Sequence, residues 1–417
     1  MFDELPAPSD RRLAVRVTPD ALRQVRGGSP WVYDRSITST HLDATAGELA
    51  VIFDSERRFA AIGLWDPSSP IRIKLLHVGK PVQIDGEFWR SRLRAALQRR
   101  QPLVDDPDTT AYRWVNGEGD GLPGLVLDRY DDQVVLKLYT PAWWPHLTAI
   151  VAAVDEVARP SRMVLRMSRA VAADRTYGLA EGDALIGTAS DDPVRFVEHG
   201  LQFQADLVHG QKTGHFLDQR ENRQLLRTMI ERLGSRLDVL DMFASTGGFS
   251  VYAAAGGAGT VTSVDISAPT LHAAEVNMAL NRHLPAVAAC AHDALVGDAY
   301  EVMERLQRAR RQFDIVVIDP PSFAQRQDSI ERGLTAYGQL TQRACALLRP
   351  GGLLVQASCS SRITTERFFA TVRASAQRSG FDLTELRRTG HALDHPIAAP
   401  EGEYLKCLFA TVSPLPT

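Results

Sequence analysis

From about residue 195 onward, apolar runs of strand length alternate with stretches of helix length, and this alternation constrains the fold more than any other feature of the chain. Strands are predicted at Leu237 to Phe243, Thr260 to Asp265, Ile315 to Asp319 and Leu353 to Ala357, with helices between them. Three of the four carry adjacent apolar residues rather than apolar residues at every second position. A parallel sheet covered by helices on both faces demands that pattern, because neither face of its strands meets water. The last run, Glu403 to Val412, reads as a further strand, half of a closing antiparallel hairpin. The expected fold class is therefore α/β, with a Rossmann-like sheet in the C-terminal half.

A chain of 417 residues is too long for one core and implies two or three domains. Residues 13 to 76 hold short alternating strands, such as Leu49 to Phe53 and Phe59 to Leu64. Turn residues at Gly27-Gly28-Ser29-Pro30, Ala46-Gly47 and Asp66-Pro67 separate them, which suggests a small β-barrel. A helix over Phe88 to Gln98 follows. Strands at Val134 to Tyr139 and Met163 to Arg166 then flank an apolar helix from Leu147 to Val157, giving a mixed α+β region. The polar, turn-rich stretch Gly187 to Pro193 marks a boundary. The expected domains are thus 1–76, 77–190 and 191–417.

The formal net charge of -3 supplies no overall attraction to nucleic acid, so any such surface has to be local. The first hundred residues are mildly basic, with 16 Lys and Arg against 12 Asp and Glu and a cluster at Arg90, Arg92, Arg94, Arg99 and Arg100. A solvated helix face accounts for that cluster. Four cysteines, Cys290, Cys345, Cys359 and Cys407, are too dispersed for a metal knuckle and too few for a disulfide scaffold, so no metal is expected. Without a signal-like leader or a run of eighteen apolar residues, the expectation is a cytoplasmic protein with no membrane partner.

Reactive residues gather where the predicted strands stop. The first strand runs into Asp241-Met-Phe243-Ala-Ser245-Thr-Gly247-Gly248, a corner where glycine lets backbone approach a ligand closely. It lacks both the Lys of a phosphate loop and the Gly-x-Gly-x-x-Gly of a dinucleotide fold. The second strand ends at Asp265, whose carboxylate can accept from both hydroxyls of a ribose. His292-Asp293 follows the next apolar stretch and suits an adenine amino group. Ribose and adenine without phosphate point to S-adenosylmethionine. Further on, Asp319-Pro320-Pro321-Ser322-Phe323 and Ser358-Cys359-Ser360 place a carboxylate, a rigid turn, an aromatic ring and a thiol after adjacent runs, a set suited to gripping and attacking a nucleobase.

Longer strings carry a family resemblance. Gly28-Ser-Pro30-Trp31-Val-Tyr33 is similar to the start of a PUA domain, an RNA-binding barrel, with core packing the expected role of Trp31 and Tyr33. Val115-Asn116-Gly-Glu118-Gly-Asp120-Gly-Leu-Pro123-Gly-Leu resembles the hallmark of a central domain. His209-Gly-Gln211-Lys212-Thr213-Gly-His215-Phe216-Leu-Asp218-Gln219-Arg220-Glu-Asn222-Arg223 resembles the segment leading into a catalytic domain. Together they resemble the RlmI-type family of class I S-adenosylmethionine-dependent methyltransferases, whose members methylate C5 of a cytosine in 23S ribosomal RNA. Two departures from the family pattern stand out: Ala244-Ser245 where Cys-Tyr is common, and Ser29 where His is common.

The resemblance implies that Phe216, Gln219 and Arg220 help enclose the cofactor along with Asp241, Phe243, Ser245, Gly247, Asp265 and Asp293. The partner it implies is ribosomal RNA, free or within an assembling large subunit, and the enzyme would be a monomer or homodimer. C5 of cytosine is a poor nucleophile until something adds at C6. Cys359 is the expected nucleophile there, with Asp319, its carboxyl needing a raised pKa, bonding or protonating N3. Pro320, Pro321 and Phe323 would hold the base. Ser322 directly after the prolines, where amino-group methyltransferases carry an aromatic residue, favours carbon as the target. Methylation elsewhere, such as guanine N2, and a non-catalytic RNA-binding assembly factor are the alternatives.

Overall fold

Strands form where the apolar runs are, and seven of them make one sheet in the C-terminal half. The computed structural model describes residues 2–40, 43–234, 236–324 and 326–415. Contacts divide the chain into two units. The first comprises Met1–Val197, Ala205–Leu217 and Leu393–Pro400, and the second Glu198–Gln204, Asp218–Ala392 and Glu401–Thr417.

In the second unit the strands are β1 (Asp238–Met242), β2 (Thr260–Asp265), β3 (Ala291–Val296), β4 (Phe313–Ile318), β5 (Leu348–Ser358), β6 (Phe381–Thr389) and β7 (Lys406–Pro414). Their order is β3-β2-β1-β4-β5-β7-β6, and β7 runs antiparallel to both its neighbours. Helices α1 (Arg220–Leu233), α2 (Gly248–Ala255), α3 (Ala268–Leu280), α4 (Ala299–Arg308), α5 (Ile330–Leu347) and α6 (Thr365–Arg378) accompany the strands. Leu240, Val316, Ile318 and Leu354 pack with Met303, Leu334, Leu340 and Phe368 into a core on one side of the sheet. Because β2 and β4 lie on opposite sides of β1, a crevice opens beyond the C-terminal ends of β1 and β4, where such sheets bind ligands.

The first unit holds two sheets. One has six strands in the order Trp31–Tyr33, Ile71–Val78, Phe59–Trp65, Leu49–Phe53, Arg12–Val17, Ile37–Ser39. The other has five: Ala184–Ile186, Arg162–Met167, Gln133–Leu138, Leu125–Tyr130, Ala111–Asn116. Trp89, Trp114, Trp143 and Trp144 fill the larger core of this unit. In the strand Trp31–Tyr33, Val32 is the buried residue and the two aromatics are half-buried, because neighbouring side chains on a strand face opposite ways. Core packing therefore falls to Val32, while the Trp31 indole N–H donates to Glu118 at 3.0 Å.

The arginine cluster is not a uniformly solvated face either. Arg100 is fully buried and forms a two-pronged pair with Asp120 at 2.6 and 2.7 Å. The glycine-rich stretch after Asn116 has a physical reason: a Cβ on Gly119 would lie 2.0 Å from the carbonyl oxygen of Pro396. Arg100 also donates to the Asp394 carbonyl at 2.7 Å, and Asn116 to the Pro396 carbonyl at 2.8 Å. A segment from near the C-terminal end thus completes the first unit.

Candidate active site

The loop after β1 is held in a conformation that most residues avoid. Phe243, Ser245 and Gly247 all have positive φ, at 63°, 49° and 77°. Only the glycine adopts that region without steric cost, and at Gly247 a Cβ would also sit 2.7 Å from the Cβ of Ala274 in α3. The strain is offset by bonds from outside the loop. Ser245 N–H donates to Asp265 Oδ2 at 3.0 Å, and Asn277 Nδ2 donates to the Thr246 carbonyl at 2.9 Å. Asp265, at the end of β2, also accepts from Ser267 N–H at 2.9 Å. One carboxylate thereby ties together the two loops that border the crevice.

Asp241 is buried one residue before the end of β1. Ser250 Oγ donates to its Oδ2 at 2.6 Å and lies 2.6 Å from Ser263 Oγ, which lies 2.8 Å from His292 Nε2. Burial pushes the Asp241 carboxyl up to about 7; the Ser250 bond pulls it down, and the negative charges of Asp319 and Asp265 add to the rise. Among the described residues, neither Asp241 Oδ1 nor Ser245 Oγ has a hydrogen-bond partner, although both atoms are buried. Two buried, unsatisfied polar atoms, one on an acid, fit a polar ligand carrying positive charge. S-adenosylmethionine, with its sulfonium and ammonium groups, meets that description.

His292 and Asp293 stand elsewhere than the sequence suggested. The strand begins at Ala291, so these residues open β3 rather than follow an apolar run, and Asp293 pairs with Thr262, three residues short of Asp265. The acid at the far end of β3 is Asp298. Gly297 N–H donates to the Asp265 carbonyl at 3.0 Å, which draws the β3 loop alongside that of β2. Asp298 caps α4 through Oδ1, accepting from Tyr300 N–H at 2.9 Å. Ile266, next to Asp265, is 73% exposed, an apolar surface on which a flat ring can lie. The clue to Asp298 was its place before the amphipathic run of α4, which marks an N-cap.

Of the segment leading into this unit, Gln219 and Arg220 belong to the second unit and Phe216 to the first. Phe216 carries Lys212 Nζ 4.1 Å from its ring centre. Arg220 is fully buried in the first turn of α1, where its Nε donates to Glu221 at 3.3 Å. Gln219 has a different contact from the one expected: its Nε2 donates to Asp319 Oδ1 at 2.8 Å. Asn222 Nδ2 in turn donates to Gln219 Oε1 at 2.6 Å, and Thr389 Oγ1 donates to Asn222 Oδ1. A chain of amides therefore aims the Asp319 carboxyl group.

Asp319 and Cys359 stand at neighbouring strand ends because β4 and β5 are parallel neighbours and each residue directly follows its strand. Cys359 Sγ lies 3.6 Å from the carbonyl oxygen of Pro320. Pro320 is buried and Pro321 exposed, so the turn presents one proline ring to solvent. Phe323 is half-buried and sets its ring edge-on against Tyr337 at 5.0 Å between centres. Around the thiol, Tyr337 OH lies 2.9 Å from Ser358 Oγ and 3.1 Å from Ser360 Oγ, while Ser322 Oγ lies 3.0 Å from Ser360 Oγ. These hydroxyls brace the residues on either side of Cys359. Cys359 itself is half-buried, whereas Cys345 and Cys407 are core residues. Cys290 is half-buried too.

The family model described as S-adenosylmethionine-dependent methyltransferase matches residues 147–392, and that of a PUA-like domain matches residues 15–77. A Deinococcus radiodurans protein named ribosomal RNA large subunit methyltransferase is 44% identical, covering 97% of this chain and 98% of its own. A Tolumonas auensis protein named ribosomal RNA large subunit methyltransferase I is 35% identical over 91% and 94%. A SAM-dependent methyltransferase structure from Streptococcus mutans shares the fold at a TM-score of 0.80 and 23% identity, covering 95% of this chain and 99% of its own. With a family model across more than half its length and relatives of this identity along nearly all of it, the chain belongs to the S-adenosylmethionine-dependent methyltransferases, in one family with those ribosomal RNA large subunit enzymes.

Proposed function

We propose that this protein methylates C5 of a cytosine in 23S ribosomal RNA through a covalent bond between Cys359 and C6 of the base. The contact of Cys359 Sγ with the Pro320 carbonyl carries the reading, since it brings a half-buried thiol to the same strand ends as Asp319. The Cys359 thiolate adds to C6 as Asp319 gives a proton to N3, so the electron pair of the C5–C6 double bond becomes available at C5. When bound, S-adenosylmethionine supplies an electrophilic methyl group on a sulfonium centre, which that electron pair takes up. A base then removes the C5 proton, the C5–C6 double bond re-forms, the C6–S bond breaks and N3 returns its proton. Gln219, backed by Asn222, keeps Asp319 aimed during these steps.

Asp241, Ser245, Asp265 and the backbone of Phe243 to Gly247 would hold the cofactor, with Asp298 at the adenine in place of Asp293. Phe216 and Arg220 keep their proposed part in enclosing it, and Pro320, Pro321 and Phe323 theirs in holding the base. Residues 1–76 serve as an RNA-gripping domain and 77–190 as a central domain ahead of the catalytic one, in a cytoplasmic enzyme. The cost of unstacking a cytosine in folded RNA, a few kcal/mol, is what such a grip would offset. Among the described residues no helix is long and apolar enough to cross a membrane.

The test is nucleoside mass spectrometry of unmodified ribosomal RNA incubated with methyl-labelled S-adenosylmethionine and wild-type protein or Cys359→Ala. Labelled 5-methylcytidine that disappears with the variant supports the reading. Label on guanosine, or full activity in the variant, overturns it.

A further inference from the structure

β7 opens with a lysine in an otherwise apolar run, and the side chain is 1% exposed. Lys406 Nζ donates to the carbonyls of Ser360 at 2.8 Å, Glu403 at 3.2 Å and Tyr404 at 3.2 Å. Among the described residues, none of these three bonds goes to a carboxylate. An ammonium buried against neutral carbonyls keeps most of its field, which is costly unless an anion nearby uses it. The register pairs Lys406 with Ser358, and the bond to Ser360 places the ammonium on the residue following Cys359. Lys406 is thus tied to both chain neighbours of the thiol, through its backbone to Ser358 and through its ammonium to Ser360.

We propose that Lys406 is a positioning residue for Cys359: its ammonium fixes the Ser358–Ser360 turn and lowers the pH at which the thiolate forms. This rests on the reading of Cys359 as nucleophile. Glu403 and Glu366, near Lys406 itself, oppose a thiolate, as Asp319 at the end of β4 would if ionised, whereas the phenol of Tyr337 in α5, pushed up to about 12 by burial, stays neutral. Burial lowers the pKa of Lys406, while Glu403 and Cys359, in that order, act to raise it, so lysine and cysteine feel one another's charge. A cation close to a cysteine favours the nucleophilic form.

Peptide-resolved alkylation by iodoacetamide across a pH series reads the Cys359 thiolate without RNA or cofactor. In the wild type, Cys359 should react with a midpoint below the ordinary thiol value of roughly 8.5. Cys290, pushed up to about 11 by burial, is the internal comparison. Lys406→Met should raise the Cys359 midpoint by about one pH unit, roughly a tenfold loss of thiolate at neutral pH, and Lys406→Arg should restore most of it. A folded Lys406→Met protein with an unchanged midpoint overturns the proposal. If that variant does not fold, a wild-type midpoint at or above the ordinary value does so instead. Either result leaves the methylation test of Cys359→Ala untouched, so the two readings fail separately.

Discussion

Replacing Asp241 with Asn tests whether the carboxyl beside the β1 loop is held at a cost that depends on pH. Its pKa rises from 3.8 to about 7 through burial. A folded-state pKa above the unfolded one means that the group's contribution to stability is fully present below the unfolded value and is lost as pH climbs through the folded one. Over the whole window the loss is roughly 4 kcal/mol, and between pH 5 and pH 9 about 3 kcal/mol. Asn keeps the shape and can still accept from Ser250, but it cannot ionise. Its amide nitrogen, standing where Oδ1 has no partner, adds a cost of about 1–3 kcal/mol that does not vary with pH. The slope against pH therefore isolates the carboxyl, whatever the offset. For a unit of this size about 3 kcal/mol corresponds to roughly 6–12 °C in Tm. Differential scanning calorimetry of the ligand-free proteins should show the Tm of Asp241→Asn rising relative to wild type by that amount between pH 5 and pH 9. A constant difference across the range would refute the burial argument, and with it the claim that the site is built to receive positive charge.

Asp298→Asn should weaken binding of S-adenosylhomocysteine about tenfold by isothermal titration while leaving Tm nearly unchanged, because Asn caps a helix as well as Asp does. Asp293→Asn, on the exposed opening of β3, should leave affinity unaltered; the reverse pattern would return the adenine role to Asp293. Arg100→Met should destabilise the first unit, by at most about 3–5 kcal/mol in thermal scanning, since it leaves Asp120 only the partly exposed Arg99 at 3.1 Å and the Asn116 N–H at 2.7 Å, and adding Asp120→Asn should recover part of the loss.

What could be read from the chain, and what could not, divides along the range of the interactions. The parallel sheet was legible because adjacent apolar residues in β1, β4 and β5 record burial on both faces, a property each strand expresses alone. The strand-end positions of Asp265, Asp319 and Cys359 were legible for a similar reason, since each stands where its strand stops. The placing of Asp293 at a strand end differs because the apolar stretch before it forms a short helix, Pro285–Ala289, so that His292 and Asp293 open β3 instead of following it. Other parts depend on partners far away in sequence. Nothing near Gly119 announces that Pro396 will press against it, and nothing near Gln219 that its amide will meet Asp319, one hundred residues on. Lys406 lies between these cases. A lone lysine at the head of Cys-Leu-Phe-Ala-Thr-Val breaks the local rule for a buried strand, and a residue that breaks a local rule without local compensation is where function is to be sought. Its compensation becomes visible only when β5 is laid beside β7 and the carbonyl of Ser360 comes within reach of the ammonium.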